Sequence, residues 1–232
     1  MGLALQTGIL STLHNNDLDQ FLLYQKEIKA AASYLQRKGV THQFTEPTDL
    51  STDRQWTTDM YGYSGLHYLR RLAAHVNSHK SLPSPGDWQA SSDPVLIQYF
   101  ENYFSGDTST LLKQVLTRKR VFPFEHLIIH SDTDGFYLPI DFQRVIVTEN
   151  SDLSGGFIGS SYRLLEELRE LAKWLELDLN REITDIDLYD AAESQGEGTE
   201  KWARYGVESF TCLKLYHGCL ESVENRCALV FR

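Results

Sequence analysis

Cysteine, methionine and proline are scarce in this chain, with 3, 2 and 6 copies in 232 residues. The cysteines, Cys212, Cys219 and Cys227, fall near one end. An odd number so placed makes no disulfide framework, and a cytoplasmic protein is expected. No apolar run approaches the roughly 20 residues of a bilayer-crossing helix, so no membrane partner is expected. The opening Met1-Gly2-Leu3-Ala4-Leu5-Gln6 lacks a basic region followed by a sustained apolar one, so no signal peptide is expected. Gln6 stands where a myristoylation motif needs Ser or Thr. Cations are short in the second half. Residues 121–232 hold 10 Lys/Arg against 21 Asp/Glu, whereas residues 1–120 hold 12 against 11. The formal charge of −10 therefore comes from the second half, which argues against nucleic acid as a partner there. No Rossmann fingerprint, nucleophile elbow or kinase set is present, and no cofactor is expected.

What is present is an ordinary globular composition, 41% hydrophobic and 23% charged, on a chain long enough to bury its own core. A single α+β domain spanning 1–232 is expected, with a possible sub-boundary at the proline-bearing stretch 81–93. Asp17 and Gly39 bracket a predicted helix over 17–38, in which Leu18, Phe21, Leu22, Ile28, Ala32 and Leu35 recur at helical spacing. A short strand is expected at 40–44 and a loop at 46–59. Further helices are expected at 64–79, 94–104 and 108–119. Ser160 or Ser161 should cap a helix whose buried stripe is Leu164, Leu168, Leu171 and Leu175. A helix over 199–224 and a strand over 228–231 close the chain.

Between residues 124 and 142 the period changes. Two β-rich runs flank Asp132-Thr133-Asp134-Gly135, a strong hairpin signal. The expected architecture is helices around a small, mainly antiparallel sheet containing this hairpin. With an even loop, Ser131 pairs with Phe136, and Leu127, Ile129, Phe136, Leu138 and Ile140 share one face. His126, His130, Tyr137 and Asp141 then share the other, with His126 opposite Asp141. Such a cluster could serve as a base or hold a metal. Simple alternation in a half-buried hairpin produces the same pattern and is preferred, so these four are candidates only and no metal ligand is assigned.

Asp132 and Asp134 resemble the opening of a calcium loop, but a third oxygen ligand and the closing Glu are missing, and turn chemistry explains them. His75 and His79 have the spacing of a zinc pair without the metalloprotease Glu, and an exposed helix end is the plainer account. The three cysteines read as core. Gly155-Gly156-Phe157-Ile158-Gly159-Ser160-Ser161 enters a helix but has no P-loop lysine.

The acidic segment Glu176–Glu200 holds nine carboxylates and one cation, Arg181. Leu177, Leu179, Ile183, Ile186, Leu188 and Tyr189 are interspersed, which argues for an ordered segment. It suits docking to a basic protein through field complementarity, and it equally suits a solvated face that aids solubility. If it docks, Tyr189 is the candidate anchor and Asp185, Asp187 and Asp190 its charged surround. Asp132 and Asp134 complete the candidate binding set. Tyr189 is expected to be at least partly exposed.

The run Phe124–Phe142, followed by Gly159-Ser160-Ser161 and a Leu/Glu-rich helix, resembles a group of bacterial proteins sharing an HLxxHSDxxGxYxPxDF pattern and a GSS helix start. The similarity covers roughly 121–175 and the general shape of the last helix and strand. That group has no assigned activity, and some members look like immunity proteins of toxin systems. The resemblance implies a protein partner such as a basic toxin, and an inhibitor docking through its acidic surface. The alternative is a metal-binding protein or hydrolase using His126, His130, Tyr137 and Asp141. The sequence implies no oligomeric state.

Overall fold

The computed structural model describes residues 3–14, 16–40, 44–86, 89–104, 122–131, 134–148, 153–182, 184 and 186–232. The expected helix at 108–119, most of the expected strand at 40–44, and Asp132 and Asp185 lie outside them.

The fold begins with a strand that hydropathy did not mark. β1 (Ala4–Thr7) is followed by α1 (Ile9–Leu13) and α2 (Leu18–Arg37). Asp17 caps α2, its carboxylate accepting from the Gln20 N–H at 3.1 Å, and Gly39 follows it with a left-handed φ of 87°. β2 (Trp56–Asp59) forms within the expected loop because β1 offers it an antiparallel ladder from Ala4↔Asp59 to Thr7↔Trp56. α3 (Gly62–His79) and α4 (Pro94–Phe104) come next. A single turn, α5 (Glu125–Ile128), leads to β3 (Phe136–Leu138), β4 (Ile146–Val147) and β5 (Phe157–Ser160). α6 (Ser161–Leu175) starts on the Ser160 cap, whose hydroxyl accepts from Arg163 N–H at 3.3 Å. α7 (Ile186–Glu193), α8 (Lys201–Arg204), α9 (Gly206–Asn225) and β6 (Leu229–Phe231) complete the chain. The single long helix expected over 199–224 is thus two, broken at Tyr205, where φ −105° and ψ 51° leave the helical region.

The sheet runs β2-β1-β6-β3-β5-β4 among the described residues. It is mixed rather than mainly antiparallel, since β3 and β5 are parallel, with Tyr137 beside Gly159. The fold is α+β as expected, but the 124–142 hairpin does not form. Phe124 takes a left-handed φ of 63° and starts the α5 turn, so no strand runs through the first half of that segment. The buried Arg70 of α3 holds this turn. Its Nε donates to Leu127 O at 2.9 Å and its Nη2 to His130 O at 2.7 Å and Ser131 O at 3.1 Å. β3 instead pairs with β5 and, antiparallel, with β6.

Both faces of the sheet are covered, which is why alternation misled there. Phe136 and Leu138 of β3 and Val230 of β6 face α1 and α2, packing with Ile9, Phe21, Ile28 and Leu35. Tyr137, Leu229 and Phe231 face the opposite way, into the larger core built by α3, α4, α6, α7 and α9. The stripe Leu164, Leu168, Leu171 and Leu175 is fully buried in that core, each side chain stabilising by about 1.5–3 kcal/mol. Cys212, Cys219 and Cys227 are free and buried, and burial pushes the Cys212 and Cys227 thiols up to about 12. No helix among the described residues is long and apolar enough to cross a membrane.

Glu46 anchors the segment after α2 to the start of β6. One carboxylate oxygen accepts from the Ala228 N–H at 2.6 Å, and the other has no hydrogen bond among the described residues. Burial pushes this carboxyl from 4.5 up to about 8. The folded state therefore holds a proton that the unfolded chain releases near 4.5. Its stabilising contribution is complete below pH 4.5 and is lost as pH rises through about 8. Glu46→Gln keeps the acceptor for Ala228 and should make the fall in melting temperature across that window shallower, the rest belonging to Glu167, whose buried carboxyl is also pushed up to about 8. A wild-type slope in the variant would show that Glu46 does not contribute to it.

Candidate protein-docking surface

Of the four residues that a hairpin would have gathered, the structure keeps His126 and His130 against Tyr137 and places Asp141 elsewhere. His126 is buried, its Nδ1 accepting from Ser160 N–H at 3.0 Å, and burial pushes it down to about 3. It therefore stays neutral. Tyr137 is buried and its hydroxyl donates to His126 O at 2.8 Å. His130 stacks on the Tyr137 ring at 3.9 Å, and its Nδ1 and Nε2 face the carbonyls of Ser131 (3.0 Å) and Phe136 (3.1 Å). Asp141 does not orient His126. It is exposed and holds Arg163 through two contacts of 2.6 and 3.0 Å. His126, His130 and Tyr137 are instead tied into backbone polar groups of the core, and the expected His126–Asp141 pair is absent.

Three further groups resolve as structural. Glu167 of α6 caps the α5 turn, accepting from His126 N–H at 3.0 Å and Leu127 N–H at 2.8 Å. Burial pushes its carboxyl up to about 8. Asp93 takes both Arg71 (2.9 Å) and His75 (3.1 Å), so His75 is held by a carboxylate rather than paired with His79 for a metal. Among the described residues no group of three or more His, Cys, Asp or Glu could hold a metal ion. Asp134 is exposed beside the turn, its N–H donating to Ser131 Oγ at 3.3 Å.

The described residues of the acidic segment, 176–182, 184 and 186–200, divide into an inward and an outward side. After α6 the chain turns at Glu176 with φ 54°, and Leu177 N–H closes the end on Ala172 O at 2.9 Å. Leu177, Leu188, Ala191 and Ala192 turn inward, Leu188 fully. The carboxylates turn outward. Glu176, Asp178, Glu182, Asp187, Asp190, Glu193, Glu197 and Glu200 are all exposed. Carboxylates keep their hydration this way, since burying an unpaired one costs several kcal/mol.

α7 is pressed hard onto α9. A Cβ on Gly206 would lie 1.9 Å from Ala191 O, so only glycine permits this approach. Gln195 fastens the following loop, donating to the buried Glu208 at 2.7 Å and accepting from Val207 N–H at 2.8 Å. Tyr189 is 42% exposed, and its inner edge packs on Phe210 at 4.7 Å. Beneath it the buried Lys214 ammonium lies 4.3 Å from the Phe210 ring and 5.7 Å from that of Tyr189. Lys214 also donates to Thr58 Oγ1 at 3.1 Å and to Asp59 O. Burial lowers its pKa. The Tyr189 ring is thereby held in place before any partner arrives.

Ile186 stands one turn away, 72% exposed. Its exposure was not legible in the sequence, because isoleucine between acidic residues reads as the buried side of a short helix. The nearby cations are engaged. The Arg181 guanidinium lies 3.9 Å over the Trp202 ring, and Lys201 pairs with Glu176.

The fold and this surface define an α+β protein that shows a carboxylate-rich face with an aromatic set in it. Over residues 1–231 the chain matches the family described as "Putative DNA-mimic protein", and it belongs to that family. It matches no curated protein and no solved structure. The family corrects the partner expected from the sequence. A DNA mimic is directed at DNA-binding proteins, so a basic toxin is not the partner that the match supports.

Proposed function

We propose that this protein occupies the DNA-binding surface of a DNA-binding protein, offering the carboxylates of 176–200 in place of backbone phosphates. The observation that carries this reading is the concentration of eight exposed carboxylates within 176–200, where Arg181 is the one cation. Duplex DNA presents one negative charge per roughly 1.7 Å of axis, and its binding proteins meet it with Lys and Arg. Carboxylates offer those side chains the same charge sign and, to Arg, a two-oxygen acceptor. An array of this kind steers a basic partner and rejects acidic ones.

The test uses duplex DNA immobilised on a column and loaded with an extract of the source cells. Adding the purified chain should elute one or a few DNA-binding proteins, which then run in a complex with it. A variant with Asp187, Asp190 and Glu193 changed to the amides should elute much less. Elution of nothing by the wild type, or equal elution by the variant, would overturn the reading.

A further inference from the structure

The outer face of α2 is the counterpart of the acidic face. Leu18, Leu22 and Leu23 are 63%, 52% and 47% exposed. Lys26, Lys29 and Arg37 are exposed on the same outer side; of the two carboxylates of α2, Glu27 is buried and Asp19, in the first turn, is exposed. Three large aliphatic side chains on one exposed helix face, followed toward its C-terminal end by three cations that outnumber the one exposed carboxylate, fit a protein surface with apolar groups ringed by acid. α7 is such a surface, with exposed Ile186 and Tyr189 among Asp187, Asp190 and Glu193. The sheet lies between the two faces, since α2 packs on its Phe136–Val230 side and α7 belongs to the core on the other. One molecule therefore cannot bring them together.

We propose that α2 of one copy docks on the acidic α7 face of a second copy. The contact is head-to-tail, so each copy keeps one free face of each kind and the assembly grows into chains or closes into a ring. It hides the acidic face within the assembly, and the DNA-binding partner must compete for it. The proposal shares that face with the proposed function but does not depend on the identity of its partner.

The experiment is sedimentation of the full chain over a range of concentrations, at about 0.01 M and about 1 M salt, where the Debye length is roughly 30 and 3 Å. The wild type should assemble with concentration at low salt and disperse at high salt. Leu22→Glu combined with Lys29→Glu cripples the α2 face, and Asp187→Asn combined with Asp190→Asn cripples the α7 face. Each variant alone should associate roughly tenfold more weakly or worse. Mixed together, the two should form a 1:1 dimer that does not grow, because only one intact pair of faces remains. A wild type that stays monomeric at low salt, a variant that assembles like wild type, or a mixture that stays monomeric would overturn the proposal. The α2 variant should still elute proteins from the DNA column, so failure there with assembly intact would count against the proposed function alone.

Discussion

Tyr189→Ala should weaken the complex with the DNA-binding partner by about 2 kcal/mol or more, roughly thirtyfold in Kd, with the loss in the dissociation rate. Charge brings such partners together, but affinity usually comes from a few aromatic or arginine anchors at a desolvated centre. Tyr189 has what an anchor needs. It is 42% exposed, yet its ring is fixed against Phe210 and the Lys214 ammonium, so little side-chain freedom is lost on binding. Changing Asp185, Asp187 and Asp190 to Asn should act differently, slowing association and flattening its dependence on salt. Surface plasmon resonance against a protein recovered from the DNA column separates the two effects. If Tyr189→Ala leaves the dissociation rate unchanged, and the Asn variant keeps the wild-type rate and salt response, the acidic segment is a solvated face only.

Arg70→Ala should destabilise the fold by roughly 3 kcal/mol or more. This one buried guanidinium donates to three carbonyls, those of Leu127, His130 and Ser131, the last of which also faces His130 Nδ1. Hydrogen bonds from a charged donor contribute about 1.5–3 kcal/mol each, and orphaned buried acceptors cost 1–3 kcal/mol. Contacts that share one side chain are not additive, so the expected loss is set below their sum. Arg70→Lys should recover little, because an ammonium is a point donor that cannot reach three carbonyls from the guanidinium's planar fork. Arg163→Ala is the control, since its Asp141 pair is exposed and such pairs contribute 0–1 kcal/mol. Urea midpoints at unchanged m-value measure all three. A loss under about 1 kcal/mol for Arg70→Ala would mean that the turn around α5 holds itself.

Local chemistry made several elements legible. Asp17 and Gly39 bound α2, Ser160 starts α6, and the leucine stripe of α6 faces the core, because caps and a 3.6-residue period act over a single turn. The acidic segment was legible in the same way. Its leucines had to turn in and its carboxylates had to stay hydrated, and the partial exposure of Tyr189 followed.

The segment 124–142 was not legible. Its alternating pattern assumes one wet face, whereas β3 is buried on both sides, between α2 and the larger core. Nothing within that segment announces that Arg70, more than fifty residues earlier, will claim its carbonyls and turn it away from a hairpin. Nor does anything near Tyr189 announce Phe210 and Lys214, which arrive from α9. By itself, then, the sequence determined the capped helices, the α6 stripe and an ordered run of carboxylates, since each depends on neighbours a few residues away. The pairing of β3 with β5 and β6, the burial of His126 and His130, the exposure of Ile186 and the α2 leucines, and the fixing of Tyr189 were decided by tertiary structure. These depend on which distant surface arrives to cover a residue, and burial energy is set by that contact rather than by the residue's own neighbours in the chain.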